Sequence, residues 1–117
     1  MLTIYGIPNC DTVKKSLDWL TKHKIEYVFH NYKKEGVTST LLKDWMSQQD
    51  FTLIVNTKSA TYKKLSPADQ AKCAKANTAV AVLIENTSLI KRPIVTKKGK
   101  IIAIGFDADT YATTPHG

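Results

Sequence analysis

The feature that most constrains this 117-residue chain is the pattern of its N-terminal third. A β-prone run, Leu2 to Tyr5, ends at Gly6 and Pro8, two residues that favour a turn. After the turn, three apolar residues recur at i, i+4 and i+7 on one helix face: Val13, Leu17 and Leu20. A second strand is predicted at Ile25 to His30. Because two strands joined by a helix are normally parallel, this third of the chain predicts a β-α-β unit.

The middle of the chain is predicted to be helical. Thr38 or Ser39 is a typical N-cap residue for the first helix of this region. Ser66-Pro67 is a second start signal, because serine caps a helix and proline suits its first turn. The alanine-rich segment after it predicts a helix through about Ala76. The apolar run Ala79 to Ile84 has no decisive period, and we interpret it as a helix.

The last third returns to strand patterns. Two β-prone runs, Pro93 to Thr96 and Lys100 to Ile104, are separated by Lys97 to Gly99, which favours a hairpin turn. A short helix or turn is predicted at Asp107 to Tyr111. The order β-α-β, helices, β-hairpin, helix predicts an α/β fold: a thioredoxin-like (glutaredoxin-like) mixed sheet with an inserted helical subdomain.

We therefore predict a single domain, 1–117, in which 1–34 and 88–117 are the thioredoxin-like halves and about 35–87 is the helical insertion. A chain of this length buries enough surface for a core without disulfides or metals. No apolar run approaches the roughly 20 residues that cross a bilayer. The first residues lack the pattern of a signal peptide. We expect a cytoplasmic protein that has no membrane partner.

The net charge of +7 raises the question of an anionic partner. The lysines come mostly in spaced pairs, such as Lys14-Lys15 and Lys63-Lys64, which is typical of solvated faces. Attraction of a small acidic substrate is equally compatible with this charge. A nucleic-acid surface would need the charges on one face with exposed aromatic residues, so we do not expect such a partner. The cysteines and histidines lack metal-ligand spacing, and we expect no metal and no bound cofactor.

Cys10 is the first candidate for chemistry, in the sequence Pro8-Asn9-Cys10-Asp11. It falls where the first strand passes into the first helix, which Asp11 or Thr12 is predicted to cap. The free N–H groups and the positive end of the helix dipole stabilise an anion there, so the thiol should ionise readily. Lys14 is close enough in sequence to support the same anion. The alternative is an inert loop cysteine that packs as a small apolar residue.

The residues after Cys10 restrict the type of thiol site. A dithiol oxidoreductase has Cys-x-x-Cys, but the third residue after Cys10 is Val13. A phosphatase-like loop would carry an arginine within a few residues, and this segment has none. Cys10 is therefore predicted to be a monothiol. Cys73, in the alanine-rich segment, is interpreted as a packing residue, although a role as the resolving thiol stays open.

Two further segments carry candidate site residues. Arg92 is the single arginine among seventeen basic side chains, and its planar fork suits a carboxylate or oxyanion. The alternative is a surface salt bridge beside Pro93, which opens a strand. Asn56 and Lys58 come after an apolar run. They either form a helix-capping loop or face a cleft.

Three segments together resemble the ArsC/Spx family, most closely its YffB-like branch. The first runs from Ile4 to Lys15 and contains Asn-Cys-Asp-Thr; the second is Asn56-Thr57-Lys58; the third, Leu89 to Val95, contains Ile-Lys-Arg-Pro. The resemblance covers essentially the whole chain. It implies a thioredoxin-like fold with an inserted helical subdomain, a nucleophilic Cys10, and a cis Pro93 that brings Arg92 beside the thiol.

The resemblance also implies a reaction. In the arsenate reductases of the family, the cysteine attacks arsenate, glutathione attacks the adduct, and glutaredoxin reduces the mixed disulfide, while three arginines bind the oxyanion. Here Arg92 matches one arginine, but the second position falls at Asn56 and the third near Gly105. Each lost charge-assisted hydrogen bond is worth about 1.5–3 kcal/mol. Two losses weaken oxyanion binding by about a hundredfold or more, so we expect poor arsenate reduction.

We therefore predict a glutathione-linked thiol oxidoreductase, with glutathione as co-substrate and glutaredoxin as a candidate partner. Two alternatives stay open: arsenate reductase proper, and a non-catalytic Spx-like regulator that binds RNA polymerase. Cys10 and Arg92 are the predicted catalytic residues. The other side chains predicted to bind glutathione or substrate are Asn9, Asp11, Thr12, Lys14, Asn56, Lys58 and Pro93.

Overall fold

The computed structural model of the protein describes residues 2–113, which contain a four-stranded mixed sheet. The strands are β1 (Leu2–Gly6), β2 (Tyr27–Asn31), β3 (Ile94–Lys97) and β4 (Lys100–Ile104). Their order across the sheet is β2-β1-β3-β4. Strand β2 runs parallel to β1, whereas β3 is antiparallel to β1 and β4 to β3. The predicted mixed sheet is confirmed.

The described residues divide into two compact units. The first runs up to Glu35 and resumes at Arg92, and the second is Gly36–Lys91. The first unit holds the sheet with α1 (Asp11–Lys22), α2 (Tyr32–Glu35) and α7 (Ala108–Thr113). The second holds α3 (Ser39–Gln48), α4 (Ala60–Lys63), α5 (Pro67–Lys72) and α6 (Ala76–Glu85), with short 3-10 turns at Phe51–Leu53 and Thr87–Leu89. The single-domain assignment stays a prediction.

The core of the first unit results from the two periodicities of the sequence. Residues of β1 alternate between buried and half-buried, as expected for a strand with one face on the core. The apolar spacing on α1 adds the helix face. The buried cluster consists of Leu2, Ile4, Leu20, Val95 and Tyr111. The buried Ser16 hydroxyl lies 2.7 Å from that of Tyr111, which donates to the Gly105 carbonyl at 3.0 Å.

The second unit shows two of the predicted helix starts. Thr38 caps α3 by accepting from the Leu41 N–H at 3.1 Å, and Ser66 caps α5 ahead of Pro67. The apolar run Ala79 to Ile84 lies inside α6, which confirms its interpretation as a helix.

The predicted alanine-rich helix through Ala76 is too long. Helix α5 ends at Lys72, and α6 begins at Ala76 after a short turn. The Thr78 hydroxyl donates to the Lys72 carbonyl at 2.6 Å and to the Lys75 carbonyl at 3.3 Å. The Thr78 hydroxyl thus takes the Lys72 carbonyl, which a continued helix would pair with the Ala76 N–H, and the helix is interrupted there. The Lys75 carbonyl still accepts from the Ala79 N–H at 2.9 Å.

Two strand boundaries also differ from the prediction. Strand β2 begins at Tyr27 rather than Ile25, because the end of α1 takes up the intervening residues: Lys24 has φ +58°, and the Ile25 N–H donates to the Leu20 carbonyl at 2.9 Å. The hairpin turn has two residues rather than three. Lys98 and Gly99 both have positive φ, as a type I′ turn requires.

The remaining differences are small. Strand β3 begins after Pro93, which has no N–H to donate. The last helix begins at Ala108, with Asp107 accepting from the Asp109 N–H at 3.1 Å. No helix among residues 2–113 has the length and hydrophobicity of a membrane span.

Candidate active site

The loop that leaves β1 delivers Cys10 directly to the start of α1. The backbone of Cys10 is extended, with φ −117° and ψ 125°, and its carbonyl accepts from the Lys14 N–H at 3.0 Å. Cys10 itself is therefore the N-cap residue, and the predicted caps Asp11 and Thr12 are wrong by one and two positions. Both of these residues lie in the first turn and are exposed. The strand end and the helix start thus meet at the thiol.

The surroundings of Cys10 favour its ionised form. The side chain is half-buried, and burial, the strongest single influence, raises its pKa. Hydrogen bonding from the backbone N–H groups of Val13 and Thr12 and from the Arg92 side chain, together with the positive charge of Arg92, more than offsets this effect. The net result is a pKa below the ordinary value of the thiol. Because all of these groups donate and a thiolate is the better acceptor, they stabilise the ionised form of Cys10.

Strand pairing brings Arg92 to the thiol, and a glycine lets α1 start close to the same strand end. Strand β3 pairs with β1 through Tyr5 and Ile94, so the residues just before β3 lie at the end of β1 that leads to Cys10. At Gly6, an added Cβ would lie 2.8 Å from a methyl group of Val13 and 3.7 Å from the Arg92 Cβ. The first distance is too short for a side chain, so only glycine permits the first turn of α1 to pack this closely against the end of β1, whereas the distance to Arg92 is an ordinary van der Waals contact. The bond between Arg92 and Pro93 is cis, as the resemblance implies.

A group of aromatic side chains, Tyr5, His30 and Tyr32, stands at the same edge of the sheet. The ring centroid of Tyr5 lies 4.8 Å from that of His30 and 6.4 Å from that of Tyr32. The centroids of His30 and Tyr32 lie 6.2 Å apart. Tyr32 is 1% exposed. Burial, and to a lesser degree Tyr5, raise its pKa well above the ordinary value, while the Arg92 charge lowers it. Tyr32 is therefore a neutral phenol near the guanidinium.

Sequence reasoning missed Tyr5 and Tyr32. One signal was available, because Tyr32 directly succeeds the parallel strand β2, and side chains at the carboxyl ends of parallel strands share one edge. The predicted β2 ended at His30, so Tyr32 lay outside every predicted strand.

Three predicted site residues of the first unit remain: Asn9, Lys14 and Pro93. Asn9 and Lys14 are exposed, whereas Pro93 is buried. Lys14 does not contribute to the shift in the pKa of Cys10, so a role in stabilising the thiolate stays a prediction.

Asn56 and Lys58 lie in the second unit, in a turn that leads into α4. The Asn56 side-chain oxygen accepts from the Lys58 N–H at 3.2 Å, and the Asn56 backbone N–H donates to the Leu89 carbonyl at 2.7 Å. The Asn56 carbonyl accepts from the Ser59 hydroxyl at 2.9 Å, and Ser59 caps α4. These contacts match the helix-capping alternative. A binding role for either side chain stays a prediction.

Cys73 differs from Cys10 in the properties that govern reactivity. Both cysteines are free thiols. Cys73 is 4% exposed at the end of α5, and burial, with a smaller effect of Asp69, raises its pKa. These features agree with a packing residue. Within residues 2–113, no group of three or more potential metal-ligating side chains converges.

Comparison with known proteins places these features in a family. The sequence model of the ArsC family matches residues 5–114. An uncharacterized protein of Haemophilus influenzae is 42% identical over 111 residues, which are 95% of this chain and 96% of that protein. The global transcriptional regulator Spx of Streptococcus agalactiae is 32% identical over 93% of this chain and 79% of the regulator. The solved structure of a YFFB protein matches with a TM-score of 0.89 and 34% identity over 96% of both chains, and the thioredoxin-like fold is confirmed.

Proposed function

Because the chain belongs to the ArsC family, we propose that it is a glutathione-linked thiol oxidoreductase in which Cys10 is the nucleophile. The observation that carries the proposal is the set of groups around the sulfur. Backbone N–H groups of the first turn of α1 and the Arg92 guanidinium together lower the thiol pKa. A thiolate is the reactive form of cysteine in disulfide exchange, and a lowered pKa makes it more available near neutral pH.

The proposed reaction has two exchange steps. The Cys10 thiolate attacks one sulfur of a substrate disulfide, a bond forms between those sulfurs, and the other half of the substrate leaves as a thiolate that takes up a proton. The thiolate of one glutathione attacks the mixed disulfide on the substrate's sulfur, forms a glutathione–substrate disulfide and releases the Cys10 thiolate. A second glutathione attacks that disulfide, so the products are the second substrate thiol and oxidised glutathione. The substrate disulfide is thereby reduced, and no second protein cysteine is needed.

Arg92 is proposed to bind a carboxylate of the substrate or of glutathione. Its guanidinium already acts on the Cys10 sulfur, so an anion bound to it would lie beside the nucleophile. The adjoining segments are proposed to line the same site with four further residues: Asn9, Asp11, Thr12 and Pro93.

The proposal also covers further anion-binding residues, a partner protein and the cellular compartment. Lys14, Asn56 and Lys58 are proposed to contribute to anion binding. Glutaredoxin is a candidate for reducing the protein after glutathionylation, and the cytoplasm is the proposed compartment, where glutathione is kept reduced. No metal or bound cofactor is required by this reaction.

The proposal predicts selective modification of one thiol by oxidised glutathione. After incubation of the native protein, mass spectrometry should show a single glutathione adduct on the peptide that contains Cys10. Cys73 should stay unmodified, because it is buried and its pKa is raised. Unfolded protein, in which both thiols are exposed, is the control. An adduct confined to Cys73, or none in the native protein, would contradict the proposed function.

A second candidate function is regulation of transcription, which is favoured by 32% identity with the Spx regulator over 93% of this chain. The resemblance implies that Spx acts by binding RNA polymerase and is switched by a Cys-x-x-Cys pair. Val13 stands where the second cysteine of that pair would be. Recovery of polymerase subunits from cell extract by both the native protein and its Cys10→Ser variant would favour this function over catalysis.

A further inference from the structure

The Tyr32 hydroxyl is a buried polar group without a hydrogen-bond partner among residues 2–113. The side chain is 1% exposed, so water does not readily serve it. Buried hydroxyls in folded proteins are almost always paired, because an unpaired one loses its hydration without compensation. Tyr111 shows the ordinary arrangement, since it is 2% exposed and its hydroxyl contacts Ser16 and the Gly105 carbonyl. The unpartnered state of Tyr32 therefore needs an explanation.

The position of Tyr32 is fixed by strand register. Gly6 of β1 pairs with Asn31 of β2, and Tyr5 of β1 pairs with Ile94 of β3. Tyr32 directly follows Asn31, and Arg92 comes two residues before Ile94, so the two residues lie on opposite sides of the chain as it leaves β1 toward Cys10. Since neighbouring strands lie about 4.8 Å apart, the ends of β2 and β3 on either side of β1 are about 10 Å apart, a distance that two long side chains can span.

The charge of the same guanidinium influences two groups. Arg92 acts on the Cys10 sulfur and on the Tyr32 hydroxyl. A phenol at neutral pH offers a proton, and a guanidinium can only donate. The N–H groups of Thr12 and Val13 are directed to the same sulfur. The donors of Thr12, Val13 and Arg92 thus surround the Cys10 sulfur. An anionic oxygen bound to Arg92 would be an acceptor for the Tyr32 hydroxyl.

We propose that Tyr32 is a specificity-determining residue, whose hydroxyl donates to a carboxylate oxygen that Arg92 holds beside the Cys10 sulfur. The ligand class is a thiol or disulfide that carries a carboxylate near its sulfur, and for the chemistry at the sulfur this inference rests on the proposed function. A tyrosine unsatisfied in the free protein gains its hydrogen bond only when such a substrate is bound. Disulfides without a carboxylate cannot supply this anionic acceptor.

The test compares two alkylating reagents of nearly the same shape, anionic iodoacetate and neutral iodoacetamide. Both transfer a carbon to the Cys10 thiolate and release iodide, and only the first carries the carboxylate. In Tyr32→Phe, we expect the ratio of the iodoacetate rate to the iodoacetamide rate at Cys10 to fall about tenfold, which corresponds to one hydrogen bond to a charged group. The iodoacetamide rate itself should be unchanged, because Tyr32 does not act on the pKa of Cys10.

Thermal stability distinguishes this role from a structural one. Tyr32→Phe removes an unsatisfied hydroxyl, so the Tm should stay equal or rise. Tyr111→Phe is the matched control: it removes a satisfied hydroxyl, so it should lower the Tm and leave the alkylation ratio unchanged. An unchanged ratio in Tyr32→Phe, an equal loss with both reagents, or a lowered Tm or failure to fold would overturn the proposal.

This experiment contains no glutathione. If oxidised glutathione leaves native Cys10 unmodified, the proposed function fails while the alkylation ratio still decides the role of Tyr32. If the adduct forms and the ratio does not change, the proposed function stands and the inference about Tyr32 fails.

Discussion

Cys10→Ser is expected to abolish the glutathione-dependent reduction of small disulfides, with a loss of at least about a thousandfold. The serine hydroxyl stays protonated at neutral pH, and it cannot form a disulfide. The same N–H groups and guanidinium would surround it, so the fold should be retained. The rate is measured as oxidised glutathione formed per protein, and the Tm by circular dichroism serves as the check on folding.

Cys73→Ser is the matched control for this loss. That thiol is buried at the end of α5 and its pKa is raised, so its removal should leave the rate within about twofold of native. A Cys10→Ser variant that keeps the native rate would show that the reaction does not pass through this sulfur. A Cys73→Ser variant that loses most of the rate while it stays folded would instead indicate a resolving thiol.

Arg92→Ala is expected to lower kcat/KM for carboxylate-bearing disulfides by about 10- to 100-fold. The lost interaction is a charge-assisted hydrogen bond, worth about 1.5–3 kcal/mol, and about 1.4 kcal/mol corresponds to tenfold. The variant also removes a charge and a hydrogen bond that lower the pKa of Cys10. The midpoint of its rate against pH should therefore lie above that of the native protein.

Arg92→Lys separates charge from geometry. The lysine keeps the positive charge but lacks the planar fork, so the pH midpoint should stay near native while kcat/KM for the anionic substrate falls to an intermediate value. In both variants, kcat/KM for a neutral disulfide such as hydroxyethyl disulfide should fall less than kcat/KM for an anionic disulfide. Equal losses with the two substrates would contradict carboxylate binding by Arg92.

The elements around the site could be predicted because their signals are local. The apolar residues of α1 recur at helical spacing, and the strands are bounded by turn residues such as Gly6 and Gly99. The thiol was correctly located at a strand-to-helix junction. Its own role as the N-cap was missed, because cysteine is not among the residues that ordinarily cap a helix.

Other features depend on contacts that are distant in sequence. At the end of α5, the Lys72 carbonyl accepts from the hydroxyl of Thr78, which lies six residues further along the chain. Tyr32 becomes relevant to Cys10 only because β2 and β3 both pair with β1, which brings Tyr32 and Arg92 to one end of that strand. Strand order and register cannot be predicted from any single segment of the sequence. The unpartnered state of a hydroxyl is visible only after its neighbours have been placed.

The central claim is that the backbone and Arg92 make the Cys10 sulfur acidic, and the pH dependence of its alkylation tests it most directly. Only the thiolate reacts with iodoacetamide, so the rate at Cys10 rises with pH and reaches half its maximum at the pKa. In the Cys73→Ser background, we predict a midpoint below the value of about 8.5 for a free cysteine and an upward shift in Arg92→Ala. A native midpoint at or above about 8.5, unchanged by that substitution, would contradict the account.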